Sequence, residues 1–223
     1  MHTLRDTHHT QNVMRKRKKT DRLMKLLIAF IIFSSSMSIL GQNYHTEFEY
    51  GNSNNNGITI KNSYPKGGQK YTAPNGEKFV YVTFWTCITN KTASNLELEI
   101  NFSSDSFIIP SSPNVNFNLY IPNEEMALEK DLLPDYGLDI MSFLEENINV
   151  VSKLVSFPKE NINESSKLKA IIKPNNSHLF YTVAISNKGV IGPLRAGFEL
   201  QKEELIYKIN KHEINCGKIS AKR

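Results

Sequence analysis

The sequence predicts an all-β fold built as a sandwich of two antiparallel sheets, with one short acidic helical insertion. Three observations carry this: apolar and polar residues alternate with period two along several short runs, turn-forming residues punctuate those runs, and a single stretch switches to helical spacing. The plainest run is 96–103, where Leu96, Leu98, Ile100 and Phe102 share one face and Glu97, Glu99, Asn101 and Ser103 the other. That is the pattern of a strand with one side in a core and the other in water.

Taken in order, the first strand of the domain is expected at 57–63, followed by a turn at Pro65-Lys-Gly-Gly68. Residues 78–90 are apolar or aromatic on both faces, which marks a central strand, and Trp85 within it is a core residue on that reading. Asn90-Lys-Thr-Ala-Ser-Asn95 turns the chain back into the strand at Leu96. Alternation resumes over Val115–Ile121, and further strands are read at 167–173, 179–185, 195–200, 205–209 and 214–219. The last three are joined by the tight polar links Gln201-Lys-Glu-Glu204 and Asn210-Lys-His-Glu213. From Asp139 onward, Ile140, Phe143, Leu144 and Ile148 fall three and four apart, so a helix is expected within an insertion at about 123–148. Short antiparallel strands of this number suggest an immunoglobulin-like sandwich, although cysteine spacing around Trp85 and a tyrosine corner are both lacking.

Two segments precede that domain. Residues 1–41 read as a basic leader and secretory signal peptide, with the functional start at Met24: Lys25 supplies the positive flank, Leu26–Phe33 the apolar run and Ser34–Gly41 the small-residue tail. Cleavage is expected between Gly41 and Gln42, with Ser38 as the alternative. A retained anchor is the competing reading, disfavoured because serines interrupt a run too short to span a bilayer. Residues 42–56 read as a flexible N-terminal arm, and 57–223 as one β-sandwich domain.

Trimming the leader changes the electrostatics. The whole chain has 27 basic and 22 acidic residues, of which 1–41 hold eight and two, so the remainder has 19 and 20 and a net charge of −1. The basic character belongs to the leader, which removes the electrostatic case for nucleic-acid binding. Charge is also unevenly spread. Residues 123–146 carry eight acids against Lys130, a net of −7, while 147–223 carry a net of +7. Within the acidic stretch Asp131, Asp135, Asp139, Glu145 and Glu146 are the candidate partner surface, weighed against a solvated loop facing lysine-rich strands. Pro134 and Gly137 spoil the alignment of the three aspartates on one helix; if the stretch is a recognition surface, it is expected to steer a cationic partner or to hold calcium. His45, Glu47 and Glu49 lie two apart on the arm and share a face if extended, but a metal trio there is the weaker reading.

Two cysteines remain after the leader, Cys87 and Cys216. In an exported chain an even count favours a disulfide, contributing about 4 kcal/mol across so long a loop; two separately buried thiols are the alternative. Motifs for a nucleophile elbow, a zinc protease or a phosphate loop do not occur, and no cofactor, metal or catalytic residue is predicted.

The leader followed by a sandwich carrying Phe84-Trp85-Thr86, Tyr136-Gly137-Leu138, Phe143-Leu144 and Cys216-Gly217-Lys218-Ile219 resembles small exported β-sandwich proteins of Gram-negative bacteria with no assigned function. The resemblance implies export and architecture and carries no activity. The sequence therefore points to a non-catalytic binding or structural module of the cell envelope, in the periplasm, on the outer surface or secreted. Its expected partner is a protein or glycan of the envelope, and no membrane span remains after cleavage. The alternative is a hydrolase of envelope or extracellular polymers acting through carboxylates of 131–146.

Overall fold

A computed structural model describes residues 44–52, 56–153 and 166–221. The strands are β1 (Tyr44–Asn52), β2 (Asn56–Ser63), β3 (Lys66–Thr72), β4 (Lys78–Asn90), β5 (Leu96–Asn101), β6 (Phe107–Ile109) and β7 (Ser112–Tyr120), followed by helix α1 (Ile140–Lys153). Then come β8 (Lys167–Ile172), β9 (Ser177–Ser186), β10 (Ala196–Gln201), β11 (Glu204–Ile209) and β12 (His212–Ala221). One sheet runs β1-β2-β4-β9-β7-β6, with β3 also on β4; the other runs β10-β11-β12-β5-β8, and every pairing is antiparallel.

The two sheets bury a common core. Ile60, Val82, Phe84, Ile88, Phe117 and Phe180 from the larger sheet meet Leu98, Ile100, Phe198, Tyr207, Ile209 and Ile219 from the smaller. A second core lies on the far side of the larger sheet, where Tyr81, Trp85, Tyr181 and Val183 receive Leu138 and the helical Phe143, Leu144 and Ile148. The molecule thus has three layers, and its central sheet is covered on both faces. That explains why 78–90 carries apolar residues on both faces and why β9 is buried from Leu179 to Ser186. The smaller sheet has only one covered face, so its outer side keeps the charged half of the alternation, with Glu99 bridging Lys169 at 2.9 Å and Lys218 at 3.4 Å.

Several expectations are corrected. The arm at 42–56 is, where described, strand β1, which pairs along β2 from Tyr44↔Ser63 to Asn52↔Asn56. Pro65–Gly68 is not a simple turn: Tyr64 and Pro65 break a long strand, and Lys66 resumes it as β3 against the same edge of β4. At the break the Trp85 amide donates to Ser63 Oγ at 2.8 Å in place of a ladder bond. Gly67 and Gly68, with φ of 122° and 72°, then form a bulge against Val82 and Tyr81.

Cys87 and Cys216 are not bonded to each other; both are free. Strand parity explains why. On β4 the even positions Val82, Phe84 and Ile88 point between the sheets, so Cys87 shares the opposite face with Tyr81 and Trp85, whereas Cys216 points into the inter-sheet core. The thickness of the central sheet separates the thiols, a distance no disulfide bridges.

Buried asparagines join the sheets at two places. Asn62, 1 % exposed, donates through Nδ2 to Thr46 Oγ1 (3.1 Å) and the Phe198 carbonyl (3.0 Å). Its Oδ1 accepts from the Phe198 amide (2.9 Å) and Thr86 Oγ1 (2.9 Å). Tyr50 Oη accepts from the Leu200 amide at 2.9 Å, so side chains of β1 and β2 satisfy the outer edge of β10. Asn90 does equivalent work where the chain crosses between sheets. Its Nδ2 donates to the Ile172 and Ser94 carbonyls, both at 2.8 Å, and its Oδ1 accepts from the Thr92 amide at 2.8 Å.

Candidate functional site

The insertion between β7 and α1 is held to the central sheet by a few specific bonds. Asn123 Oδ1 accepts from the Glu125 amide at 3.4 Å and caps a 3-10 turn over Glu124–Met126. The Asp139 amide donates to the Met126 carbonyl at 2.8 Å and closes the loop on itself. Gly137 allows this closure, because a Cβ there would stand 2.6 Å from the Lys130 amide nitrogen and 2.7 Å from the Glu129 carbonyl carbon.

Asp135 anchors the loop to the sheet. Its side chain, only 12 % exposed, accepts from Trp85 Nε1 at 2.9 Å and pairs with Lys66 Nζ at 2.9 Å. Beside it the Tyr181 hydroxyl donates to the Pro134 carbonyl at 2.7 Å. Burial, reinforced by the Asp135 charge, pushes that phenol up to about 12. Asp139 is the N-cap of α1, accepting from the Ser142 amide at 3.1 Å and the Ser142 hydroxyl at 2.8 Å. Those bonds hold its carboxyl below the usual range. Asp135, nearly buried, and Asp139, exposed but bonded as the helix cap, are therefore engaged within the protein, while Asp131, Glu145 and Glu146 are exposed without such a role. The expectation that all three aspartates form one free surface is corrected accordingly: the loop consumes two of them to hold its shape.

The free surface is completed by apolar side chains that the charge pattern did not reveal. Leu128 and Leu132 are 87 % and 85 % exposed and Tyr136 is 77 % exposed, with Leu133 and Met141 about half exposed. They alternate with Glu125, Glu129 and Asp131, and Lys130 does not offset these acids because Glu124 holds it at 3.2 Å. A groove of about 520 Å3 runs between Leu128, Glu129, Tyr136, Asp139 and Glu146. A second, of about 490 Å3, lies between Glu124, Glu146 and the edge at Lys167–Lys169. The available signal was Leu128, Leu132 and Leu133, apolar residues within a loop of no strand or helix period.

His178 sits behind this loop, its Nε2 3.3 Å from Glu124 Oε1 but not aligned for a hydrogen bond. Burial holds the imidazole below its ordinary value, and the Glu124 charge opposes this more weakly. On β1, Glu47 pairs with Lys61 at 3.3 Å and Glu49 with Lys91 at 3.0 Å, so neither is drawn toward His45 as a metal ligand. Among the described residues no three of His, Cys, Asp and Glu gather around one point, and no helix is long and apolar enough to cross a membrane. The expected cleavage site at Gly41 and Gln42 lies outside the described residues. No family model, curated protein or solved structure matches the chain.

Proposed function

We propose that the protein is an exported, non-catalytic binding module of the cell envelope whose partner engages the insertion between β7 and α1. The observation that carries this reading is the exposure of Leu128, Leu132 and Tyr136 on a loop otherwise held by Asp135, Gly137 and Asp139. Isolated exposed apolar residues are ordinary, but several together on one bonded loop, rimmed by acids, are the surface of an interaction site. The charge complementarity favours a protein segment presenting apolar and basic side chains over a neutral glycan. The signal peptide read from the sequence at 24–41 supports a location beyond the inner membrane, and an immunoglobulin-like arrangement of the two sheets belongs to the same proposal.

The test is capture from the native envelope by the wild-type protein and by a Leu128→Ser/Leu132→Ser double variant. Both side chains project into solvent, so the variant keeps its melting temperature, and a protein captured by the wild type is lost from it. Capture is expected to weaken with added salt as the acidic rim is screened. Identical partner profiles for the two proteins would overturn the proposal.

A further inference from the structure

We infer that the protein has a second binding site, for a small carboxylate, at the bulge of β1. It is formed by His45, Thr46 and Arg195 and is separate from the insertion surface. The register of β1 on β2 shifts between Tyr44 and Thr46, which makes His45 the bulged residue. A bulge re-aims its side chain. Here the imidazole stands edge-on to Tyr64, with ring centres 5.6 Å apart, and its Nδ1 is shut from solvent without a hydrogen-bond partner.

Arg195 reaches the same place from the other sheet, its guanidinium carbon 5.4 Å from the centre of the Tyr64 ring. Its backbone is fixed on both sides by Asn210, whose Oδ1 accepts the Arg195 amide at 2.9 Å and whose amide donates to the Arg195 carbonyl at 2.7 Å. The guanidinium itself makes a 3.4 Å bond to the Leu194 carbonyl, and among the described residues no carboxylate comes within ion-pair distance of it. Thr46 Oγ1 accepts from Asn62 and so keeps its own proton free to donate.

The hollow between these groups measures about 130 Å3 and is walled also by Phe48 and Ala196. Most of the side-chain acceptors that line it are already engaged. Asn62 Oδ1 takes Thr86 and Phe198, Asn210 Oδ1 takes the Arg195 amide, and Glu199 is held by Lys208 at 2.7 Å. With no carboxylate among the described residues paired to the Arg195 guanidinium and the Glu199 charge offset by Lys208 at 2.7 Å, the hollow suits an oxyanion. One fixed guanidinium and an apolar wall suit a singly charged organic carboxylate better than phosphate, because Lys208 is already shared between Glu199 and Glu213. The volume admits a carboxylate bearing a few carbons, well below the several hundred Å3 of a drug-sized site. The same chemistry is presented by a free short-chain acid and by the C-terminus of a peptide.

The experiment is an NMR titration of the full chain at constant ionic strength. The probes are sodium propionate, a short alanine peptide with a free C-terminus, the same peptide amidated, and inorganic phosphate. Propionate and the free-acid peptide are expected to shift the His45 ring and Arg195 guanidinium resonances saturably. The amidated peptide is expected to leave them in place, and phosphate to bind more weakly than propionate. A free-acid peptide binding about tenfold tighter than propionate identifies a chain terminus as the source, and equal affinity identifies a small acid. Arg195→Gln should weaken binding about tenfold or more, with Thr46→Val intermediate and Arg195→Lys weaker than wild type but above Arg195→Gln. If Arg195→Gln does not fold, the Thr46→Val and Arg195→Lys order decides. Shifts reproduced by sodium chloride alone, shifts that do not saturate well above millimolar concentration, or equal affinity in the substituted proteins would overturn the site.

Discussion

At the scale of single residues, stability rests on a few polar side chains that are buried and satisfied, while others, Tyr207 among them, are buried without a partner. Asn62 meets four partners across the two sheets, so its loss strands the Phe198 amide and carbonyl and the Thr86 hydroxyl together. Each unsatisfied buried group costs about 1–3 kcal/mol, and Asn62→Ala is expected to lower the unfolding free energy by about 3 kcal/mol, read from the urea midpoint at unchanged slope. Tyr207 is the opposite case. Its ring is fully buried, its hydroxyl has no partner, and burial raises its pKa. Tyr207→Phe keeps the ring and removes only the stranded oxygen, so it should be neutral or stabilising by about 1 kcal/mol. A loss of stability in that variant would mean the hydroxyl has a partner after all. The thiols give a third residue-scale outcome. Burial pushes Cys216 up to about 12 and raises Cys87 less far, so neither is reactive in the native fold. Unfolded, unreduced protein should therefore take two alkyl groups by intact mass.

At the scale of elements, His178 of β9 behind the insertion and Asp139 at its helical end titrate in distinct ranges. His178, held low chiefly by burial, binds a proton more readily unfolded than folded. The unfolded state then carries the excess protons, so stability falls as pH drops through the ordinary histidine range near 6.5 and levels off below the folded value. His178→Gln should flatten that part of the curve of urea midpoint against pH. Asp139 acts lower, at the N-terminus of α1. Its carboxyl is held below the model-compound value of 3.8 by the Ser142 amide, so its contribution is complete above that value and disappears as pH falls through the folded one. Asp139→Asn should remove this acid-side step while α1 remains helical by circular dichroism, since Asn is also a good cap.

Elements also show what the sequence made legible. The strand bounds at 78–90 were read outright because a doubly covered strand is apolar on both faces. The hairpin links at 201–204 and 210–213 were read from polar turns, and Lys202 and Asn210 do take positive φ there. β1 was missed because its residues read as the polar start of a domain: only Phe48 and Tyr50 hint at a covered face, and its pairing comes from β2. β3 was missed because Gly67 and Gly68 look like a turn when they form a bulge. For the candidate site, local charge located the insertion, but which acids are free depends on Trp85, fifty positions away along the chain from Asp135. The cysteine pairing failed on parity: Cys87 lies on the face of β4 opposite Phe84 and Ile88, and a strand apolar on both faces does not show which of them meets Cys216.

At the scale of the whole molecule, the question is whether three layers behave as one folding unit. The central sheet belongs to both cores: β4 gives Phe84 and Ile88 to one face and Tyr81 and Trp85 to the other. Neither core can lose its packing without exposing apolar surface on strands the other needs, and Asn62 ties β2 to β10 while Asn90 ties the sheets where the chain crosses between them. Such sharing favours a single cooperative transition. Trp85, the chain's one tryptophan, reports on the helical side through its bond to Asp135, and far-UV circular dichroism reports on both sheets. The two probes should trace coincident urea curves in the wild type. Asp135→Ala removes the indole acceptor and the Lys66 partner at once, a cost of about 2 kcal/mol for a lost bond to a charged group. In a cooperative molecule both curves shift together by that amount, and Asp135→Asn, which keeps an acceptor for the indole, shifts them less. A fluorescence transition that precedes the dichroism, in either protein, would make the insertion and α1 a separate, weaker unit opening ahead of the sandwich. Their apolar surface would then be a property of local unfolding, and the assignment of Leu128, Leu132 and Tyr136 to partner recognition would have to be withdrawn.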